Sequence, residues 1–169
     1  MKEISAHELR ELILDIETEL ARLEKLALGI KQVRLDIQQD PERSPIFYES
    51  LALKLHNFYT GCERIFQLII SELNGSPPSG YDWHKRLLER MSVEREDRPA
   101  LISPNTAQKL QEYLGFRHIV RNLYGFELDP ERVDRLGENQ GAIGQQFAAE
   151  VRLFMDWMRQ LAKQLEAES

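Results

Sequence analysis

Apolar residues fall at Leu9, Leu12, Ile13, Ile16, Leu20, Leu23, Leu26, Leu28, Ile30 and Val33, with charged positions between them. That three-and-four spacing is the mark of an amphipathic helix, and nothing in the stretch alternates with the period of two a strand requires. Ser5 stands three residues before Glu8, the side-chain pair of a capping box. The pattern therefore predicts one long helix running to about Ile37 and closed before Pro41. Ser44-Pro45 repeats a start signal, a capping side chain followed by a proline at the first helical position. A second apolar stripe follows through Phe47, Leu51, Leu55, Phe58, Ile65, Phe66 and Ile69, and it stops at Asn74-Gly75.

The segment GSPPSG (75–80) can only be a turn, because paired prolines between glycines interrupt any helix. A short helix is expected from about Asp82 to Met91, carrying Trp83, Leu87 and Leu88. The charged run from Glu94 to Arg98, ending at Pro99, reads as a flexible loop. Ser103-Pro104 starts another helix through Leu110, Leu114, Ile119, Val120 and Leu123, closing near Tyr124-Gly125, where glycine can adopt the left-handed conformation. Asp129-Pro130 opens the last segment, with Ile143, Phe147, Val151, Phe154, Trp157, Met158, Leu161 and Leu165 on one side. Gly137, Gly141 and Gly144 leave open whether residues 130–167 form one helix or two. The expected architecture is an all-α, up-and-down bundle of four to five main helices, in which residues 1–169 make a single domain.

Composition narrows the function classes. The chain carries 22 Lys and Arg against 28 Asp and Glu, a formal net charge of −6, so binding to nucleic acid through a broad basic footprint is disfavoured and only a local basic site remains. No apolar run approaches the ~20 residues of a spanning helix, and the N-terminus has no signal-peptide pattern, so a cytoplasmic protein away from membranes is expected. The single cysteine, Cys62, cannot form an intramolecular disulfide. Neither a zinc-like ligand spacing nor a Gly-rich phosphate loop occurs, so the chain is expected to need no metal and no cofactor.

Candidate chemistry concentrates in Phe116–Gly125, where Arg117, His118, Arg121, Asn122 and Tyr124 interrupt an apolar stretch. On a continuous helix Arg117, Arg121 and Tyr124 share one stripe, and His118 and Asn122 share the adjoining one. Two guanidiniums four residues apart repel, so an anion should answer them. It is either a carboxylate from another helix, such as Glu63, or a phosphate. The first alternative makes the patch an Arg–Glu network in a plain helical dimerisation module; the second makes it a binding or catalytic site. His56, beside Asn57 and Tyr59 on the second helix, is a secondary candidate base. A charged stripe edged by Phe116, Ile119 and Leu123 is costly to bury in a monomer, which favours a two-fold homodimer with the 104–124 helix at its interface.

Phe116–Val133, FRHIVRNLYGFELDPERV, resembles the signature region of HepT-like proteins of the HEPN superfamily. Leu53–Gly61 (LKLHNFYTG), with Glu63-Arg64 after it, and the Trp83-His84 pair behind the Gly/Pro-rich loop extend the resemblance over most of the chain. The resemblance implies an all-α HEPN bundle and a metal-independent ribonuclease toxin. It also implies neutralisation by a partner of the MNT nucleotidyltransferase type, which transfers AMP to the motif tyrosine. The family signature is an Arg, four residues, a His, one residue and a Tyr. It falls here on Arg117, Asn122 and Tyr124, so an asparagine stands where the family has its histidine. The resemblance assigns Arg117 to the RNA phosphate, and Arg121 beside it would bind RNA. Asn122 can hydrogen-bond but cannot titrate near neutral pH, so His118 becomes the substitute base, or else a residue that only orients Arg117. The departure at Asn122 also supports an alternative, a catalytically silent HEPN protein that binds a partner or RNA.

Overall fold

The computed structural model describes residues 3–122, 124 and 127–168. Five α-helices account for most of them: α1 (Ala6–Gln39), α2 (Ser44–Leu73), α3 (Trp83–Met91), α4 (Pro104–Asn122) and α5 (Pro130–Glu168). Among the described residues there is no strand, only an isolated bridge between Arg95 and Arg98. This is the all-α bundle of four to five main helices that the periodicity predicts.

Local chemistry sets the helix ends. Ser5 accepts from the Glu8 amide while the Glu8 carboxylate accepts from the Ser5 amide, closing the capping box at α1. At α4 the Ser103 hydroxyl accepts from the Thr106 amide. The Ser44-Pro45 expectation needs correction: Ser44 is already helical, Arg43 is the N-cap, and no side chain caps α2. A single turn of 3₁₀ helix (Pro41–Arg43) leads straight into it, which leaves no extended position for Ser44 to cap from. The open question at the C-terminus resolves to one helix, since α5 is continuous through its glycines. Gly137 has a packing reason, because a Cβ there would stand 3.3 Å from both Arg34 Cδ and Leu51 Cδ2.

The four long helices alternate in direction. Arg10 pairs with Glu166 and Glu17 with Arg159, so α1 and α5 run antiparallel. Gly29 lies against Lys54 and Gly61 against Leu23, so α1 and α2 do too. Ser103 bonds Glu150, Lys109 bonds Gln146, and the Tyr113 hydroxyl donates to the Leu136 carbonyl, which sets α4 antiparallel to α5. Helix α2 is the central element, packed against the other four. Its Leu51, Leu55, Phe58, Tyr59, Cys62, Ile65, Phe66, Ile69 and Leu73 are buried. Leu28, placed on the apolar stripe of α1, is instead exposed. It sits on the rim of a cavity of about 850 Å³ between α1 and α5.

The 94–98 segment is a non-helical connection, as its charge suggested, but it is anchored at its end by Arg98. Arg98 is buried, donating from Nε to Asn74 Oδ1 (2.8 Å), from Nη1 to the Pro99 carbonyl (3.0 Å) and from Nη2 to the Arg90 carbonyl (3.0 Å). One guanidinium thus ties the end of α2 and the end of α3 to the connection into α4. Arg98→Ala is expected to destabilise the fold by roughly 2–3 kcal/mol, because buried acceptors lose a charged donor. Arg98→Lys should recover little, since a single ammonium cannot reach three divergent acceptors. Urea unfolding of the two variants checks both statements.

Candidate functional site

The site is built where α3 docks between α2 and α4. Arg117, on the last full turns of α4, is drawn inward and is only 9% exposed. Its Nη1 lies 3.5 Å from His84 Nε2, at the long limit of a hydrogen bond, and its buried Nε has no hydrogen-bond partner. His84, on the first turn of α3, reaches in the other direction to Glu63 of α2, with Nδ1 2.7 Å from Oε2. Glu63 is 4% exposed. A guanidinium can only donate, so Nε2 must present its lone pair to Arg117. Nδ1 then carries the proton and donates to the Glu63 carboxylate. Both contacts require the same neutral tautomer. Trp83 stacks on the His84 ring at 3.6 Å between centroids and 28° between planes, which limits its rotation.

Glu63, one of the two anions considered for Arg117, makes no direct ion pair with it. His84 stands between them. The result is a carboxylate–imidazole–guanidinium chain in which the cation touches only a weak neutral acceptor. Desolvating a cation without a full partner is costly, and Arg117 Nε is left without one. The Tyr59 hydroxyl, also buried and unpartnered, lies in the same electrostatic neighbourhood: burial first, then Glu63, hold its pKa well above the ordinary phenol value, while Arg117 opposes the shift.

Other sequence-level candidates divide. His118 is exposed, and its ring stands edge-on 5.8 Å from that of His84. Arg121 is exposed on the next turn. The Asn122 amide donates 2.8 Å back to the His118 carbonyl, so its NH₂ is engaged by its own helix. The expected stripe through Tyr124 does not form, because α4 ends at Asn122. Tyr124 lies beyond it, 72% exposed, where its amide donates to Glu127 Oε2 and its carbonyl accepts from the Glu127 amide. Leu123, Gly125 and Phe126, and with them the expected glycine closure, lie outside the described residues. His84 is the residue that sequence reasoning missed. It lies 21 positions from Glu63 and 33 from Arg117, and no local spacing announces it. Among the described residues no group of three or more His, Cys, Asp and Glu is placed to hold a metal ion.

His56 faces this site from α2. Its pKa is lowered below the ordinary imidazole value, first by burial and then by the charges of Arg117 and Arg121, against a raising contact with Asn57. A group whose folded pKa is depressed binds protons more readily when unfolded. The associated stability is therefore complete above the unfolded value of about 6.5 and lost as pH falls from there through the folded pKa. His56→Gln is expected to flatten that part of the stability–pH curve, measured by thermal unfolding between about pH 7 and pH 5.

Two arginines of the bundle are buried, Arg98 with three acceptors and Arg117 with one long contact and an unpartnered Nε. Residues 50–158 match the family model described as HepT-like protein. The chain belongs to this HepT-like family of the HEPN superfamily. The matched stretch begins within α2 and ends within α5, and so includes every side chain of the Glu63–His84–Arg117 chain. No characterised protein and no solved structure shows a significant match. Among the described residues, no helix is long and apolar enough to cross a membrane.

Proposed function

We propose that the protein is a metal-independent endoribonuclease toxin of a toxin–antitoxin pair, acting as a cytoplasmic homodimer. The observation that carries this reading is Arg117: a buried guanidinium with an unpartnered Nε and one long contact, in a family generally associated with ribonuclease activity. A phosphate is the anion it lacks. In the reaction the ribose 2′-oxygen attacks the adjacent phosphorus, the P–O5′ bond breaks, and Arg117 stabilises the charge that builds on the non-bridging oxygens. Exposed Arg121 extends the cationic surface toward the neighbouring phosphate, and His118 supplies proton transfer that Asn122 cannot. Two copies meeting across the α4 face would join their Arg117 sites into one cleft, whose local potential outweighs the net charge of −6.

Tyr124 is the residue we assign to neutralisation. A partner nucleotidyltransferase would direct its phenolic oxygen at the α-phosphorus of ATP, forming tyrosyl-AMP and releasing pyrophosphate. Its 72% exposure supports access by a second enzyme. The adduct's negative charge, placed just beyond the end of α4, would compete with RNA.

A specific observation favours a second reading, a silent RNA- or partner-binding HEPN protein. Asn122 replaces the titratable group of the family motif, and its amide is turned to the His118 carbonyl. One experiment decides between them. Purified protein is incubated with RNA in EDTA and the products are examined for 2′,3′-cyclic phosphate ends. Cleavage by the wild type, raised in Asn122→His, is expected; Tyr124→Phe should cleave normally yet resist AMP transfer. Absence of cleavage in both the wild type and Asn122→His would establish the silent reading.

A further inference from the structure

We infer that His84, held by Glu63, is the general base of the Arg117 site, and that its target is the ribose 2′-hydroxyl next to the phosphate bound there. The inference rests on the ribonuclease reading above and names the group that reading leaves open.

The geometry is that of a carboxylate-oriented base. Glu63 Oε2 accepts from Nδ1 at 2.7 Å, which fixes the tautomer and leaves the Nε2 lone pair directed at Arg117. A buried carboxylate behind the ring also stabilises the imidazolium that forms when Nε2 takes a proton. The Trp83 stack holds the ring in place. A phosphate on Arg117 would therefore sit one guanidinium away from a lone pair already aimed at it, and the 2′-hydroxyl is the nearest acidic group any RNA phosphate carries. The Arg117–His84 contact, 3.5 Å and backed by an unpartnered Nε, is weak enough for the guanidinium to turn to a phosphate and free Nε2.

The step balances. The O2′–H bond breaks to Nε2, O2′ bonds to phosphorus, the P–O5′ bond breaks, and O5′ departs with a proton from the His118 imidazolium. That second ring stands edge-on 5.8 Å from His84 and is exposed, suited to a leaving group that must escape. His118 as the base would lack an orienting carboxylate among the described residues, whereas Glu63 is bonded to His84.

The test uses the full-length chain and one RNA in EDTA, with single-turnover cleavage and RNA binding by fluorescence anisotropy measured side by side. His84→Ala should cut cleavage at least about a hundredfold with RNA binding retained, and added imidazole should restore part of the rate. Imidazole should not restore Arg117→Ala, whose lost group is not a base. In Glu63→Gln the acid limb of the pH–rate profile should move to lower pH, because the imidazolium loses its stabilising charge; a merely structural role for Glu63 would lower the rate without moving the limb. Should His84→Ala fail to fold, His84→Gln, which can still donate to Glu63, serves in its place. Wild-type cleavage undiminished in the His84 variant, or imidazole rescue of His118→Ala but not of His84→Ala, would overturn the assignment while leaving the ribonuclease reading intact. Absence of wild-type cleavage would overturn both at the earlier step.

Discussion

Arg117→Ala is expected to lower RNA cleavage by at least about a hundredfold, the loss typical when one preorganised charge-stabilising donor is removed. The effect should be large because the guanidinium is already desolvated and already positioned, so its interaction with a phosphate gaining charge is screened little by water. Arg117→Lys should recover only a fraction, since an ammonium on a shorter reach cannot present two parallel N–H groups to phosphate oxygens. Circular dichroism and the thermal midpoint should show that the variant remains folded, because Arg117 makes one long contact and leaves its Nε unpaired in the native state. A variant that remains folded and cleaves at the wild-type rate would remove Arg117 from the chemistry.

The helices were legible because their signals are local. The capping box at Ser5 and Glu8, the Ser103-Pro104 start and the three-and-four spacing of α1, α2 and α5 all lie within a few residues of the elements they specify. The departures come from tertiary context. The charged run at 94–98 looked solvated, yet Arg98 turns inward because three acceptors from α2, α3 and the following loop converge on it. The glycines of α5 could have broken a free helix, but packing against α1 and α2 holds it continuous, and at Gly137 the absence of a side chain is what lets Arg34 and Leu51 approach.

The site was legible only along one helix. A cation amid apolar neighbours singled out Arg117, which the fold buries between α2, α3 and α4. Spacing could not show that α4 ends at Asn122, so Tyr124 was grouped with a stripe it leaves. Nor could spacing show that α3 carries His84 in between Glu63 and Arg117, because that juxtaposition depends on how three helices dock. Glu63 was singled out as an anion for Arg117 on charge alone. Charge alone could not show that an imidazole stands between the two.

Phe66→Ala is expected to destabilise the protein by about 3–5 kcal/mol, the range for truncating a fully buried aromatic. Phe66 is 0% exposed on the central helix, and its ring meets Phe147 of α5 edge-to-face at 5.9 Å between centroids. Truncation therefore removes the transfer free energy of the ring, the aromatic pair, and the contacts of the walls around the space left behind. Against a total stability of roughly 5–15 kcal/mol this is a large share, equivalent to a fall on the order of 10 °C in Tm for a chain of this size. Phe66→Leu should cost markedly less, because most of the volume is refilled. The urea midpoint should drop with the slope unchanged, as for a cavity in an otherwise intact two-state fold. The consequence reaches the site as well. Phe66 is one helical turn beyond Glu63 on α2, so loosening its seat loosens the carboxylate that orients His84. Cleavage by the folded fraction of Phe66→Ala should fall, though less than in Arg117→Ala, where the phosphate contact itself is gone.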